Sequence, residues 1–396
     1  MTYDALIIGG GPAGATLALL LARGGWSVAV MEKKGFPRRK VCGEFISATS
    51  LPLLRELGVG EAFLECAGPE VRRVGLFARD TVLAADMPHP SDSSARWGRA
   101  LGREHLDLLL LAAAERAGAD VWQPWTATEL QRTSEGYACA IAAKDGSRSL
   151  TARVAILAHG SWEHSALLKR DVNAHGPSDL LAFKAHFRDC DLPADLMPLL
   201  VFPGGYGGMV QSDGGRVSLS CCIRRDELQR CRQRLSAHAG DAVLRHIQSS
   251  CLGVHEALKR SSLDGAWLSA GPINTGIRKC YANGIFFVGN IAGEAHPIVA
   301  EGISMAMQSA RLLARHLIAR QDEVVALCAL SEIGVAYGRD WKASFAPRVR
   351  AAATFAHLTM RPGIAALYLP ILKQFPGILT LAANLSGKAA QTAHVG

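Results

Sequence analysis

Three glycines near the start of the chain are spaced as in a phosphate-binding turn. They follow the apolar residues 3–8, precede an Ala- and Leu-rich run, and read G-x-G-x-x-G: Gly9, Gly11 and Gly14. Between a strand and a helix, the first glycine permits a tight turn, the second lets a pyrophosphate approach the backbone, and the third lets helix and strand pack closely. The helix N-terminus at Pro12 and Ala13 would add a partial positive charge. The spacing therefore predicts a dinucleotide site.

An acidic residue closes the second apolar run of the chain. Residues 28–31 are apolar and lead into Glu32 and Lys33. A carboxylate at this strand end reaches the ribose hydroxyls of a dinucleotide, and it favours a 2′-hydroxyl over a 2′-phosphate. We expect Glu32, with Lys33 beside it, to bind a cofactor other than NADP.

Cys42 and His296 have side chains that could react or transfer a proton. Cys42 follows the basic residues 38–40. These cations either create the electropositive site that activates a thiol or form a solvated loop, with Cys42 as a small apolar filler. His296 could exchange a proton near neutral pH, or it could simply bond a nearby carbonyl. Both residues are therefore candidates without an assigned role.

Composition limits the classes of protein to which the chain can belong. It has 396 residues, 49% of them hydrophobic, which is enough for one large domain or two joined domains. Ten cysteines without a C-x-x-C pair indicate a reduced, cytoplasmic protein without a metal site. A net charge of +8 without a basic, aromatic stripe argues against nucleic acid as a partner. The uncharged residues 5–22 contain a glycine turn, so we expect no transmembrane segment or signal peptide.

Three separated segments resemble the glutathione-reductase-type flavoproteins, which include geranylgeranyl reductases, aromatic hydroxylases (class A flavoprotein monooxygenases) and flavin halogenases. The first is the N-terminal unit. The second, Arg103 with residues 106–109, is similar to R-x-x-L/F-D-x-x-L, whose arginine reaches FAD. The third, residues 288–303, is similar to G-D-A-A-G…P…G-E-G-I. The resemblance implies FAD as cofactor.

The third segment implies contacts with the flavin end of FAD. In the family this segment holds the ribityl chain and the pyrimidine end of the ring. Amides at Gly302 and Ile303, at a helix N-terminus, would stabilise the negative charge of a reduced flavin. Asn290 stands where the family has aspartate, and an amide can still bond a ribityl hydroxyl.

The resemblance and the pattern of strands together predict the architecture. We expect an α/β fold: a Rossmann-like FAD-binding domain with an inserted β-rich substrate domain and a C-terminal helical tail. The FAD-binding domain would comprise residues 1–70, 98–175 and 270–325. The substrate domain would comprise residues 71–97 and 176–269, with 88–94 as a surface loop. The tail, 326–396, would be helical and broken at Pro347, Pro362, Pro370 and Pro376.

The residues between 36 and 44 indicate the branch of the superfamily. They resemble the reductases' K-x-C-G loop over the isoalloxazine ring, which implies that Arg39, Cys42 and Gly43 adjoin the flavin; halogenases have a related F-P-R…G-E-S loop. The W-x-W-x-I-P motif of halogenases is missing from the hairpin at 202–209, where Tyr206 and Met209 face either a substrate cavity or the core. The hydroxylases' D-G motif is replaced by residues 158–161, followed by Ser165, so the hydroxylase manner of using NAD(P)H is not supported.

The leading hypothesis is an FAD-dependent monooxygenase. It would hydroxylate a hydrophobic or aromatic small molecule of the secondary-metabolite type, with NAD(P)H as the external electron donor. The alternative is a geranylgeranyl-reductase-like C=C reductase or dehydrogenase, which the loop and the flavin turn favour. A flavin halogenase and a non-catalytic flavin sensor rank lower. The apolar tract 351–383 would cover the core, cap a substrate tunnel or touch a membrane surface.

Overall fold

The first sheet of the protein carries the predicted dinucleotide turn. The computed structural model describes residues 2–88, 97–160, 167, 176–325, 329–361 and 369–384. The strands of the sheet are β1 (Thr2–Ile8), β2 (Val28–Met31), β7 (Asp120–Trp122), β8 (Thr126–Thr133), β9 (Gly136–Ala143), β10 (Gly146–Leu157), β17 (Tyr281–Ala282) and β18 (Ile285–Phe287). Their order is β17-β18-β10-β1-β2-β7, and β8 and β9 extend β10 as antiparallel strands. β1 runs parallel to both β2 and β10, and its buried residues explain the continuous apolar run.

Three long helices cover this sheet and meet at the glycine turn. They are α1 (Pro12–Arg23), α4 (Arg103–Arg116) and α8 (Gly302–Ile318). α1 packs between α4 and α8, and almost all of its residues are buried. Its uncharged sequence is therefore that of a core helix, as the interrupted apolar run predicted. Two short helices, α2 (Leu51–Glu56) and α3 (Gly60–Cys66), complete this layer.

A second sheet is formed by segments from two regions of the chain. Its strands are β4 (Arg73–Ala78), β5 (Thr81–Asp86), β11 (Leu180–Arg188), β12 (Leu196–Phe202), β13 (Gly205–Gln211), β14 (Val217–Arg224) and β15 (Ser262–Ala270). The order is β15-β11-β14-β13-β12-β4-β5, with β4 and β12 parallel. α5 (Arg225–Leu235), α6 (Ala239–Ser250) and α7 (Leu252–Leu258) lie on one face. The predicted combination of a Rossmann-like α/β layer with a β-rich insertion is confirmed.

Short pairs of strands connect the two layers. β3 (Phe45–Ile46) pairs with β6 (Arg99–Ala100), and β16 (Gly276–Ile277) pairs with β19 (Gly293–Glu294). β3 follows the cysteine-containing loop directly, and β19 lies in the segment that leads to α8. The two sheets thus meet at the segments for which flavin contacts are predicted.

The C-terminal region is helical, as predicted, but one predicted break is wrong. α9 (Gln321–Val325) is followed by α10 (Leu330–Thr359), which passes through Pro347 without interruption. Proline removes one helical hydrogen bond. Trp341, Phe345, Val349 and Ala352 are buried on both sides of it, and this packing keeps the helix continuous.

The other predicted breaks differ in outcome. Pro362 lies outside the described residues, as do residues 89–94 of the predicted surface loop and Ser161 and Ser165. Pro370 lies in a helical stretch, whereas Pro376 precedes α11 (Gly377–Ala383). None of the helices in the described part of the chain is long and apolar enough to span a membrane.

Candidate functional site

The turn between β1 and α1 has two glycines that the fold requires and one that faces open space. Gly9 has a φ of +115°, and a Cβ there would lie 2.7 Å from the Ala158 carbonyl. A Cβ at Gly14 would lie 1.8 Å from the Gly9 oxygen. A Cβ at Gly11 would meet only the Arg103 guanidinium, at 3.7 Å. Room is therefore left beside Gly11, where a pyrophosphate would approach the backbone, so the turn fits a dinucleotide.

Glu32 lies at the end of β2 and fixes the turn. Its carboxylate accepts hydrogen bonds from the backbone amides of Gly10 and Lys34, each at 3.0 Å. The Arg38 guanidinium lies 3.5 Å from the same carboxylate, a partner that the sequence did not indicate. Each carboxylate oxygen can accept more than one hydrogen bond, so Glu32 keeps capacity for a ribose hydroxyl. Lys33 beside it is exposed.

Replacing Glu32 with Ala should weaken FAD binding by about 10- to 100-fold, because hydrogen bonds to a charged group contribute about 1.5–3 kcal/mol. The measurement is a fluorescence titration of the deflavinated protein with FAD. Glu32→Gln should fall between wild type and Ala, since it keeps one acceptor. Glu56→Ala, which removes a surface carboxylate paired with Arg311, serves as the control. An unchanged affinity in Glu32→Ala would show that the ribose lies elsewhere.

Arg103 begins α4 and is buried beside the turn. Its Nε and Nη2 atoms bond the two oxygens of Asp107, one helical turn later, at 2.6 and 2.7 Å. Burial alone would lower the pKa of the guanidinium, but Asp107 and the neighbouring Cys42 raise it above its usual value. Because Arg103 is also the nearest group to Gly11, a fixed cation lies at the expected phosphate position. This agrees with the cofactor contact that the resemblance implied.

The loop that contains Cys42 is held from several sides. The Cys42 sulfur accepts a hydrogen bond from the Glu44 amide at 3.5 Å and lies close to the Arg103 guanidinium. A Cβ at Gly43 would lie 3.3 Å from the Ser220 hydroxyl of β14, so the loop lies close to the second sheet. The structure thus brings Cys42 beside Arg103, a residue far from it in the sequence. The sequence predicted both residues for the same cofactor.

Arg39 points toward the second sheet. Its Nη1 donates to the Asp264 carbonyl of β15 at 2.7 Å, and its Nε lies 3.5 Å from Glu104. These contacts hold the same loop from a further side. The sequence predicted Arg39 as a cofactor ligand, and this stays a prediction; its side chain contacts these two acids.

Three buried charged or polar side chains meet below the loop. Glu44 is bonded by Lys184 Nζ and, at 2.9 Å, by His186 Nε2; all three are buried. Burial would raise the pKa of Glu44, but His186 and Lys184 outweigh it and lower the value to about 2. Sequence analysis missed this cluster, although Lys184 and His186 alternate along an otherwise apolar strand, which was a visible signal.

The segment that leads to α8 lies against the start of α1. A Cβ at Gly289 would lie 2.8 Å from the Cβ of Ala13, so the predicted turn approaches the dinucleotide site closely. The amide of Asn290 donates to Glu294 at 3.0 Å. Gly302 is the first residue of α8, and a Cβ there would meet no atom within 4 Å. Space is therefore left beside the start of α8, where Gly302 and Ile303 are predicted to contact the cofactor.

Tyr206 and His296 form a buried pair between the second sheet and this segment. The Tyr206 hydroxyl and His296 Nδ1 are 3.0 Å apart. Burial, with His357 nearby, lowers the pKa of His296 to about 4, and burial raises the pKa of Tyr206. Both groups are therefore neutral at pH 7. Met209 lies three residues beyond Tyr206, on the opposite face of β13, where it packs against α5–α7. The two residues predicted to share a cavity do not.

A cavity whose lining is mostly apolar, with Arg79 and His255 among its polar residues, lies in the second layer of the fold. It has a volume of about 630 Å³ and lies between the ends of β4 and β12, α6 and α7, and the end of α10; its lining includes Val201, Phe202, Leu252, Met360 and Leu369. Met360 also packs in the cluster that contains Tyr206. The cavity lining and the surroundings of the cluster that contains Tyr206 therefore share one residue, Met360.

Three possible metal ligands also lie together in the described residues, although the sequence indicated no metal site. The ligand atoms of Glu227, Cys231 and His246 lie within 4.8 Å of one another. Arg230 pairs with Glu227 at 2.5 Å, and His246 Nε2 bonds the Pro203 carbonyl at 2.9 Å. These partners account for two of the three groups, so we assign no metal here.

The sequence matches a known family over most of its length. The match covers residues 2–323, and the family is described as an FAD binding domain. The chain belongs to this family. The glycine turn, Glu32, Arg103 and the start of α8 all lie in the matched part. The chain is therefore an FAD-dependent oxidoreductase, and the arrangement at the turn fits FAD.

The curated relatives of this protein have names that describe different functions. Conditioned medium factor receptor 1 of Dictyostelium discoideum is 25% identical over 80% of this chain, which spans only 63% of that protein. Digeranylgeranylglycerophospholipid reductase 2 of Methanopyrus kandleri is 24% identical over 79% of this chain and 76% of its own length. Rifampicin monooxygenase of Streptomyces venezuelae is 25% identical over 81% of this chain and 65% of its own length.

Solved structures share the whole fold. A flavin-dependent brominase has a TM-score of 0.77 at 20% identity, covering 98% of this chain and 94% of its own. A geranylgeranyl bacteriochlorophyll reductase-like protein of Thermoplasma acidophilum has a TM-score of 0.70 at 20% identity, covering 97% and 99%. At this identity the likeness establishes the fold alone.

Proposed function

We propose that this protein is an FAD-dependent monooxygenase that hydroxylates a hydrophobic or aromatic small molecule, with NAD(P)H as electron donor. The observation that carries the proposal is the buried, neutral Tyr206–His296 pair, together with a largely apolar cavity that shares Met360 with the surroundings of the Tyr206 cluster. A cavity of this kind accepts an apolar molecule, and a few polar groups orient it. The similarity to rifampicin monooxygenase over 81% of the chain supports the same class.

The chain's own residues divide the work of holding FAD and substrate. The glycine turn and Arg103 would hold the pyrophosphate, Glu32 the ribose, and Asn290 with the α8 N-terminus the flavin end. Bound FAD would supply the redox chemistry: it takes two electrons from NAD(P)H and activates O2, so that one oxygen atom enters the substrate and the other leaves as water.

The Tyr206–His296 pair would orient a substrate hydroxyl. Because the pKa of His296 is about 4, its imidazole is neutral at working pH and acts as a hydrogen-bond partner rather than as a strong base. A phenol that donates to such a partner becomes more electron-rich, which favours attack on an electrophilic oxygen. Apolar side chains at Val201, Met360 and Leu369 would exclude water from the remainder of the molecule.

A second candidate is reduction of a carbon–carbon double bond. The loop at Cys42 and Gly43 resembles that of the reductases, and the Methanopyrus kandleri reductase aligns with 79% of the chain. In that reaction an alkene takes up a hydride and a proton and NAD(P)H is oxidised, with no O2 consumed. The brominase shares the fold, so halide incorporation is a third outcome to be measured.

The test is turnover of the FAD-loaded protein with NADH or NADPH and lipophilic phenols under 18O2, followed by mass spectrometry. We expect a product that carries one 18O atom and is unchanged by added bromide. A brominated product, or loss of an alkene without O2 uptake, would contradict the proposal and identify the other chemistries. Tyr206→Phe should lower the hydroxylation rate without changing FAD content, because it removes only the substrate-side hydroxyl.

A further inference from the structure

The cysteine loop and the second sheet are joined by a buried ion cluster that the proposed reaction does not use. Lys184 and His186 project from the same face of β11 because they alternate along the strand. Lys184 and Glu44 are fully buried, and His186 is 2% exposed. Both donors meet one carboxylate, that of Glu44. The cluster spans 140 residues of sequence and connects two layers of the fold.

Glu44 is the residue of the loop that makes the buried contacts with both β11 and the start of α4. Besides Lys184 and His186, its carboxylate accepts the backbone amide of Arg103 at 3.3 Å, and its carbonyl accepts the amide of Leu101. Its φ is +65°, in the left-handed region that a glutamate rarely adopts. A backbone conformation of this kind persists only where the surroundings hold it. The surroundings here are the start of α4 and the second sheet.

Stability alone does not account for such a cluster. Removing a lysine and a glutamate from water costs about as much as their attraction returns, so a buried ion pair contributes little to the free energy of unfolding. It does fix one geometry, because either partner left alone is an uncompensated buried charge. The geometry fixed here is that of residues 42–44, which contact the Arg103 amide through Glu44 and approach Ser220 through Gly43.

We propose that Lys184 and His186 are positioning residues: through the Glu44 carboxylate, the substrate-side sheet holds the Cys42–Gly43 loop in place against the FAD site. The effect on cofactor and cysteine is indirect, since Lys184 and His186 contact the loop and not the turn. The proposal rests on the FAD site of the family and not on the proposed hydroxylation. It holds equally if the protein reduces a double bond.

The test compares Lys184→Met with wild type in the FAD-loaded protein. One readout is the rate at which iodoacetamide alkylates each cysteine, followed by peptide mass spectrometry. We expect iodoacetamide to alkylate Cys42 at least about tenfold faster in the variant. This ratio corresponds to a loss of about 1.4 kcal/mol in the stability of the native conformation of the loop. Cys66, which is exposed on α3, should react at its wild-type rate. Buried Cys139 should stay unreactive in both proteins, which excludes general unfolding.

A second readout is the midpoint potential of the bound flavin. Lys184→Met removes one positive charge from beside Glu44, so we expect a more negative potential, because the reduced flavin is the more anionic form. Lys259→Met, at an exposed pair with Glu256, controls for loss of a lysine and should leave the potential unchanged.

If Lys184→Met does not fold, the double variant Lys184→Met with Glu44→Gln removes both charges together and serves in its place. The Lys184–Glu44 ion pair is still lost, so Cys42 should again react faster, whereas the potential should return toward that of wild type. A folded variant, single or double, in which Cys42 reacts at the wild-type rate would overturn the proposal.

Discussion

Replacing Gly14 with alanine is expected to abolish FAD binding and to destabilise the fold by about 3 kcal/mol or more, the upper range for over-packed cores. The new Cβ would lie 1.8 Å from the Gly9 oxygen and 3.2 Å from the Ala158 side chain. Neither neighbour can move freely, because one is backbone and the other belongs to the buried strand end of the first sheet. β1 and α1 would have to separate. Chemical denaturation and the FAD content of the purified variant measure the two effects.

Two other glycines supply matched controls for this experiment. Gly11→Ala places its methyl group in open space with an ordinary φ of −71°, so the fold should keep its stability. FAD should nevertheless bind more weakly, because that methyl projects toward the expected pyrophosphate. Gly35→Ala meets no atom within 4 Å and should change neither property. Wild-type FAD affinity in Gly11→Ala would contradict the location of the pyrophosphate.

The contrast between these glycines shows why the cofactor end of the site was predictable from sequence. Strand, turn, helix and acid occur within residues 2–32, so local periodicity and spacing specify them together. The same short-range geometry excludes a Cβ atom at Gly9 and Gly14 and leaves room for one at Gly11. The resemblance added Arg103 and the start of α8, which lie far apart along the chain.

The other part of the site depends on contacts that no local pattern specifies. Glu44 and Lys184 are 140 residues apart in sequence. The spacing of Lys184 and His186 along β11 does not indicate which acid they pair with. Because side chains alternate between the two faces of a strand, Tyr206 and Met209 lie on opposite faces of β13. This could be inferred only if residues 205–211 were known to form one continuous strand.

The continuity of α10 also could not be predicted from local sequence. Pro347 indicates a break by local rules, yet tertiary packing of α10 overrides it. The two acidic neighbours of Arg39, Glu104 and Asp264, lie in other elements, so the sequence of the loop did not indicate them. In each case the deciding energy comes from groups brought together by folding, not from groups adjacent in sequence.

Replacing Arg103 with Met should be the most damaging change outside the glycine turn. It leaves Asp107, which is fully buried, without its cation, and breaking a buried pair in this way costs about 3–5 kcal/mol. FAD binding should fall as well, because the guanidinium is the fixed cation beside Gly11. The free energy of unfolding and the FAD dissociation constant are the two measurements.

The double variant Arg103→Met with Asp107→Leu separates the two roles of this arginine. Removing the carboxylate removes the uncompensated charge, so stability should recover to within about 1–2 kcal/mol of wild type. FAD affinity should not recover, because no cation then lies beside the turn to offset the phosphate charges. If the double variant binds FAD as tightly as wild type, Arg103 serves only Asp107. If it remains weak while folding normally, the same guanidinium holds both the helix and the cofactor.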